Sequence, residues 1–276
     1  MGTVQLGLPY GRNSQLPVCS IEMAEAILEK AWQSGIRNFD TAHSYGDSSH
    51  RLSKWLKKTG NISRASVVTK SPIHALGNKD FLTDLISQFL GAESITVLTH
   101  GAVQDDRPWR QFREFAKSLG INYGQSVYSA NEVVQACQLG CELIQVPGNA
   151  IDDRQIRAAE DFGVSLDVRS VFLQGLLLEE PFIAETRVDG GGALSKGVIE
   201  TASSLKITPL YGLILSVLYL LGEKGRLVLG ADSPTDIEDW FSCDYNRKIA
   251  EEFLFDLRQR LSEQIPERLL DPRQWK

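Results

Sequence analysis

Short apolar runs alternate with helix-period stretches along nearly the whole 276-residue chain. This alternation restricts the fold more than any other feature. Runs suited to buried parallel strands stand at 4–6, 36–39, 66–69, 95–98, 125–128, 143–146, 164–168 and 227–229, eight in all. Between them, apolar residues recur with helical spacing over 21–33, 49–58, 79–90, 108–119, 130–139 and 152–162. Ser20 and Asp152 stand where helix N-caps are expected, and Ser233-Pro234 reads as a cap followed by a first helical residue. A glycine closes each of the six helical stretches, as at Gly35 and Gly120, where a left-handed residue ends a helix. Eight strand-then-helix units in a chain of this length predict a closed parallel (β/α)8 barrel over residues 1–276, with a doubly wound open sheet as the alternative.

No run is linker-like enough to divide the chain. The stretch 176–205, with Glu179-Glu180-Pro181 and Gly190-Gly191-Gly192, is expected to be the loosest, a loop and short helix placed to fold over a ligand. Residues 210–221 form the most apolar run, about a dozen residues; a span needs about 18–20, so a buried helix is expected rather than a membrane segment. The formal net charge of −6 argues against a nucleic-acid partner, because phosphate contacts need a basic face. Cys19, Cys137, Cys141 and Cys243 are sparse and lack neighbouring histidines, so no metal site is expected. The start of the chain carries no basic, then apolar, leader pattern, and the whole suits a cytoplasmic protein.

In a barrel the strand ends and the loops after them build the site. After the second expected strand stands Asp40-Thr41-Ala42-His43-Ser44-Tyr45-Gly46; the third ends in Thr69-Lys70-Ser71 and the fourth in Thr99-His100-Gly101. An acid, a phenol, an amine and an imidazole thus converge on successive strand ends. The set resembles that of the aldo-keto reductases, and the resemblance implies carbonyl reduction. The incipient alkoxide needs a proton, and a phenol with a reference pKa of about 10 supplies it only if its anion is stabilised. Lys70 is expected to stabilise the Tyr45 phenolate, Asp40 to hold Lys70 in place, and His100 to donate to the carbonyl oxygen.

Gly35 to Ala42, followed by Ser44-Tyr45-Gly46, is similar to the family's most recognisable segment, and Lys70 and His100 fall where its lysine and histidine stand. Gln145, the segment from Arg169-Ser170 to Leu177 and the segment Gly230 to Pro234 also match. The opening from Gly2 to Gly11 and the segments Gln145 to Asn149 and Ile151 to Arg154 resemble a branch met in bacterial sugar and polysaccharide pathways. The resemblance implies a nicotinamide cofactor, NADP(H) rather than NAD(H), and a small-molecule carbonyl substrate. It assigns Asp40, Ser126, Gln145, Arg169, Ser170, Leu173, Gly175, Gly230, Ser233 and Asp239 to the cofactor: Ser126 and Gln145 to the carboxamide, the backbone from Arg169 to Gly175 to the pyrophosphate, and the Gly230–Asp239 region to the adenosine end. The family's bottom hairpin has no counterpart before the first expected strand.

Three departures stand out. Val127 follows Ser126 where the family has Asn, with Asn149 as a substitute donor. Asp239-Trp240 stands for the Glu-Asn pair at adenine. Asp232, Thr235 and Asp236 occupy the 2′-phosphate stretch, leaving Arg226 and Arg169 as the nearest bases. These departures motivate the competing expectation of a cofactor-sensing or regulatory protein with little reductase activity. Tyr10, Trp109, Tyr128 and Phe172 are expected near the top face, where core or rim packing is at least as much expected as stacking on a substrate, and His43, His50 and His74 are expected to be bystanders, His43 alone within reach of substrate.

Overall fold

The computed structural model describes residues 1–11, 17–104, 106–242, 244–261 and 265–275, and Cys243 lies outside them. Seven strands run parallel, each bonded to the next in sequence: β1 (Asn38–Asp40), β2 (Ser66–Ser71), β3 (Ser94–His100), β4 (Asn122–Ser126), β5 (Leu143–Pro147), β6 (Ser165–Arg169) and β7 (Gly225–Leu227). The eighth place, between β1 and β7, is held by residues 1–3. Gly2 bridges Asp40 on one side and Gly230 on the other. Gly2 N donates to Leu229 O (2.8 Å), Asp40 N to Met1 O (2.7 Å) and Thr3 N to Asp40 O (2.9 Å). The expected strand at 4–6 is therefore a correction: Val4–Leu6 is one 3₁₀ turn, because Thr3 already leaves the extended region (φ −117°, ψ 9°). The barrel closes all the same, and its connectivity is that of a (β/α)8 barrel.

Helices cover the outside. They are α1 (Ile21–Gln33), α2 (Ser48–Lys58), α3 (Lys79–Ser87), α4 (Asp106–Ser118), α5 (Ala130–Gln138) and α6 (Arg154–Arg157), one after each strand position from the first to the sixth. Ser20 caps α1 by accepting from Met23 N, as its sequence position predicts. The stretch expected as one helix over 152–162 is instead α6 followed by a 3₁₀ turn, Glu160–Phe162. Asp152, the expected cap, accepts from Arg154 N at the start of α6 (3.4 Å), while the Asp153 carboxylate caps nothing and is taken by Arg157 (2.9 Å) and Arg258 (2.7 Å).

Between β6 and β7 lie α7 (Pro181–Arg187), α8 (Gly191–Ser204) and α9 (Pro209–Leu221); α10 (Pro234–Trp240), α11 (Arg247–Arg260) and α12 (Glu267–Leu270) follow β7. The stretch 176–205 is thus two packed helices rather than a loose loop. It buries Leu176, Leu177, Ala184, Leu194, Val198 and Ala202 in a second apolar layer with Leu213 of α9 and Phe253, Leu254 and Leu257 of α11. The apolar run at 210–221 is the buried helix expected. Among the described residues no single helix is long and apolar enough to cross a membrane.

Strand side chains alternate between faces, and this alternation positions the site. Val68, Leu98 and Leu143 form a closed apolar cluster inside the barrel. Two residues further along the same strands stand Lys70, His100 and Gln145. The apolar layer is a floor, and the polar layer above it opens at the strand C-terminal mouth.

Candidate active site

Lys70 is 1% and Asp40 5% exposed. The Lys70 ammonium donates to both Asp40 oxygens (2.6 and 2.7 Å) and to Thr41 O (3.1 Å). Gln145 Nε2 reaches across the barrel to Asp40 Oδ2 (2.7 Å), and Ser126 Oγ donates to Gln145 Oε1 (3.4 Å). Burial alone works against the Lys70 charge, but the Asp40 carboxylate, followed by Tyr45, outweighs it and raises the ammonium above its usual range. Lys70 stays charged despite its enclosure.

Tyr45 is half-buried in the loop between β1 and α2, with the Lys70 ammonium 5.1 Å from its ring centre. Its ring meets the His100 ring edge to face, centroids 6.1 Å apart. The loop is pinned from below by a close approach that sequence reasoning missed. A Cβ at Gly7 would overlap the Tyr45 carbonyl oxygen and the Ser48 nitrogen, so only glycine lets the two backbones meet. Burial, then the positive charges of Lys70 and Arg169, push the His100 pKa down to about 4. His100 is therefore neutral at pH 7, and its Nδ1 lies 3.2 Å from Ser44 Oγ.

A cavity of about 420 Å³ opens beside these groups. Asp40 and Tyr45 line one part; Arg169, Ser170, Phe172 and Gly175 line the wall; Gly230, Asp239 and Trp240 line the part beside α10. The segment after β6 is strained: Ser170, Leu173 and Gln174 hold φ of 62°, 49° and 54°, which costs non-glycine residues free energy and collects at binding sites. Of the residues assigned to a cofactor, Asp40, Arg169, Ser170, Gly175, Gly230 and Asp239 line this cavity. Ser126 and Gln145 are buried beside it, their side chains engaged with each other and with Asp40. The other two have their side chains engaged elsewhere. Leu173 is 1% exposed and packs in the second apolar layer. Ser233 accepts from Asp236 N as the cap of α10.

Further expectations are overturned by packing. Arg226 lies at the opposite end of the barrel, paired with buried Asp167 (2.8 Å) and bonded to Asn38 (2.8 Å), so it is no base for the adenosine end. For Trp109 the structure takes the packing alternative: it is 1% exposed, donates to Leu139 O (3.0 Å) and packs on Phe112 and Tyr123. Asn149 folds back on its own turn, accepting from Ile151 N and Asp152 N (2.9 Å each). Tyr10 and Phe172 do line the cavity, and Tyr128 lines a neighbouring one. His43 is exposed against Phe81 (5.0 Å), and His50 and His74 are exposed. Gln5 is a lining residue that the sequence did not single out. Its Oε1 is buried without a hydrogen-bond partner, and it packs so tightly on Gly230 that a Cβ there would overlap it.

Comparison with known proteins agrees with this geometry. Residues 1–92 match the model of the aldo/keto reductase family. Aldo-keto reductase str7 of Strobilurus tenacellus is 31% identical over 88 residues, 30% of this chain and 26% of that protein. The match thus spans about a quarter of that relative's length. Among solved structures, the glycerol dehydrogenase AKR11B4 from Gluconobacter oxydans is similar with a TM-score of 0.73 at 16% identity, covering 99% of this chain and 93% of that one. The holo form of aldo-keto reductase AKR11C1 from Bacillus halodurans follows with 0.72 at 18% identity, covering 93% and 90%. The aldo-keto reductase AKR2E4 of Bombyx mori in complex with NADP gives 0.66 at 16% identity, covering 93% and 87%. The aldo/keto reductase family is what this chain resembles, in sequence over its first third and in fold over its length.

Proposed function

We propose that the chain is a nicotinamide-dependent carbonyl reductase acting on an aldehyde or ketone, with Tyr45 as the general acid. One observation carries this reading: Asp40, Lys70, His100 and Tyr45 converge at one mouth, beside a cavity whose lining continues to Gly230 and Asp239. A dinucleotide fits that lining. The orphaned Gln5 Oε1, held against Gly230 where no Cβ intervenes, is an acceptor suited to a hydroxyl donor. Arg169, Ser170, Gly175, Gly230 and Asp239 would hold the cofactor. When bound, its reduced nicotinamide supplies the hydride.

The chain's own residues do the rest. Neutral His100 has Ser44 Oγ 3.2 Å from its Nδ1; the tautomer in which that hydroxyl donates leaves the ring proton on Nε2 to offer the carbonyl oxygen. Tyr45 gives its hydroxyl proton to the same oxygen. The Lys70 ammonium stabilises the phenolate left behind, and Asp40, steadied by Gln145, fixes that ammonium. A sugar or sugar-derived carbonyl is the substrate suggested by the resemblance. The resemblance also favours NADP(H) over NAD(H).

The test is a fluorescence titration with NADPH and NADH side by side, followed by turnover on a panel of aldehydes and keto-sugars at 340 nm. Binding of at least one dinucleotide with reduction of panel members supports the reading. Binding without any reduction would favour the cofactor-sensing alternative, and no binding of either would sink both.

A further inference from the structure

The family resemblance points to NADP(H), yet the part of the cavity beside α10 presents acceptors where a second phosphate would need donors. Asp232, Asp236 and Asp239 all line it. Among the described residues the lining holds one base, Arg169. Its guanidinium is turned toward the segment after β4, donating to Val127 O (3.3 Å) and lying over the Tyr128 ring at 4.3 Å. Lys30, on the helix packed beside α10, pairs with Glu238 (2.5 Å), and Arg226 is tied to Asp167 (2.8 Å).

The first N–H groups of a helix have no internal partner and attract anions. At the start of α10 these donors are already taken. Asp236 Oδ2 accepts from Asp232 N (2.8 Å) and Ser233 N (3.0 Å), and Asp236 N donates to Ser233 Oγ (3.3 Å). The chain's own carboxylate thus stands where a bound anion would. A 2′-phosphate brings about −1.5 to −2 charges at neutral pH and three acceptor oxygens, so it would meet a carboxylate in place of donors. A ribose hydroxyl is the opposite case, because it has a proton to give. Asp239 lines the same end, and the orphaned Gln5 Oε1 lies against Gly230. A carboxylate that takes the ribose 2′-hydroxyl marks an NAD site, and a base in its place marks an NADP site.

We infer that the chain takes NAD(H) and discriminates against NADP(H), with Asp236 excluding the 2′-phosphate and Asp239 receiving a ribose hydroxyl. This rests on the reading of the cavity as a dinucleotide site, and it departs from the resemblance only at the 2′ position. The tetrad lies along another part of the lining, so hydride transfer is the same with either nucleotide.

The test is a set of dissociation constants. NADH and NADPH are titrated by fluorescence; 5′-AMP and adenosine 2′,5′-bisphosphate are measured by displacement of NADH. The second pair differs in the 2′-phosphate alone and makes no demand on the tetrad. Wild type is compared with Asp236→Asn, which keeps an amide oxygen for the cap, and with Asp239→Lys, both checked by circular dichroism. The wild type is expected to bind NADH roughly 10- to 100-fold tighter than NADPH, the scale of one or two charge-assisted contacts turned repulsive, and 5′-AMP tighter than the bisphosphate. Each variant narrows both ratios, chiefly by tightening the 2′-phosphorylated member. Wild type that binds NADPH as tightly as NADH overturns the inference and leaves the reductase reading standing. An NADH preference that both folded variants retain in full overturns the roles of Asp236 and Asp239. Binding of neither dinucleotide by folded wild type overturns the cofactor reading itself, and this inference with it.

Discussion

Removing one partner of the Lys70–Asp40 pair should unsettle the whole barrel as well as its chemistry. Both side chains lie almost wholly out of water, and the pair is sealed by three hydrogen bonds from the ammonium. Lys70→Met keeps the length of the side chain and removes the charge. Asp40 is then left with Gln145 as its remaining side-chain donor. Breaking a buried ion pair from one side costs about 3–5 kcal/mol, because the surviving charge stays buried. At about 2–4 °C per kcal/mol for a chain of this size, the midpoint falls by roughly 6–20 °C. Asp40→Asn should cost a similar amount, leaving the ammonium with the amide oxygen and Thr41 O. The double variant removes both charges, so its loss should fall short of the sum of the singles by about 1–3 kcal/mol. Urea unfolding followed by tryptophan fluorescence measures all three. Single variants within about 0.5 kcal/mol of wild type, with an additive double variant, would refute the claim that this pair is both buried and mutually dependent.

Other consequences are equally specific. Gly7→Ala forces the backbone under Tyr45 to move, so turnover should fall at least about tenfold while circular dichroism stays native, a loss of the size expected when a catalytic group is displaced; wild-type turnover would show that this approach has no bearing on Tyr45. The His100 imidazole should titrate near 4 by nuclear magnetic resonance, against about 6.5 when unfolded. Between those values the unfolded chain binds the extra proton, so this group contributes stability above pH 6.5 that is lost as pH falls toward 4; a native midpoint near 6.5 would contradict the burial argument. Cys141, its thiol pushed up to about 12 chiefly by burial, should resist iodoacetamide at pH 8 in the native state, and rapid native alkylation would contradict that placement.

Much of this architecture could be read from the chain because barrel units are local. The 3.6-residue period, the Ser20 cap and the terminal glycines mark α1 through α5 without tertiary information. The tetrad was legible for a similar reason: strand ends in a parallel barrel share one mouth, so Asp40, Lys70 and His100 had to meet once the strands were found. What failed depended on distant partners. The segment Val4–Leu6 has strand composition, yet pairing is taken over by Gly2, two residues before Val4. The glycine-rich stretch near Gly191 looks loose, but its small residues are what let α7 and α8 pack closely, since a Cβ at Gly191 would press on the Ala184 carbonyl. Trp109 stayed open between substrate contact and packing, and Arg226 was placed at the wrong end, because composition does not reveal a residue's tertiary partner. Their partners, Leu139 O and Asp167, lie 30 and 59 residues away.

Tyr45→Phe subjects the chemical reading to its most direct test, because it deletes one hydroxyl and leaves the ring packed against His100. Dinucleotide affinity, measured by fluorescence titration, should stay within about twofold of wild type, while carbonyl reduction at saturating cofactor should fall by about 10²- to 10⁴-fold, the usual contribution of a positioned acid. Retention of near wild-type turnover by this variant would mean that the proton comes from elsewhere.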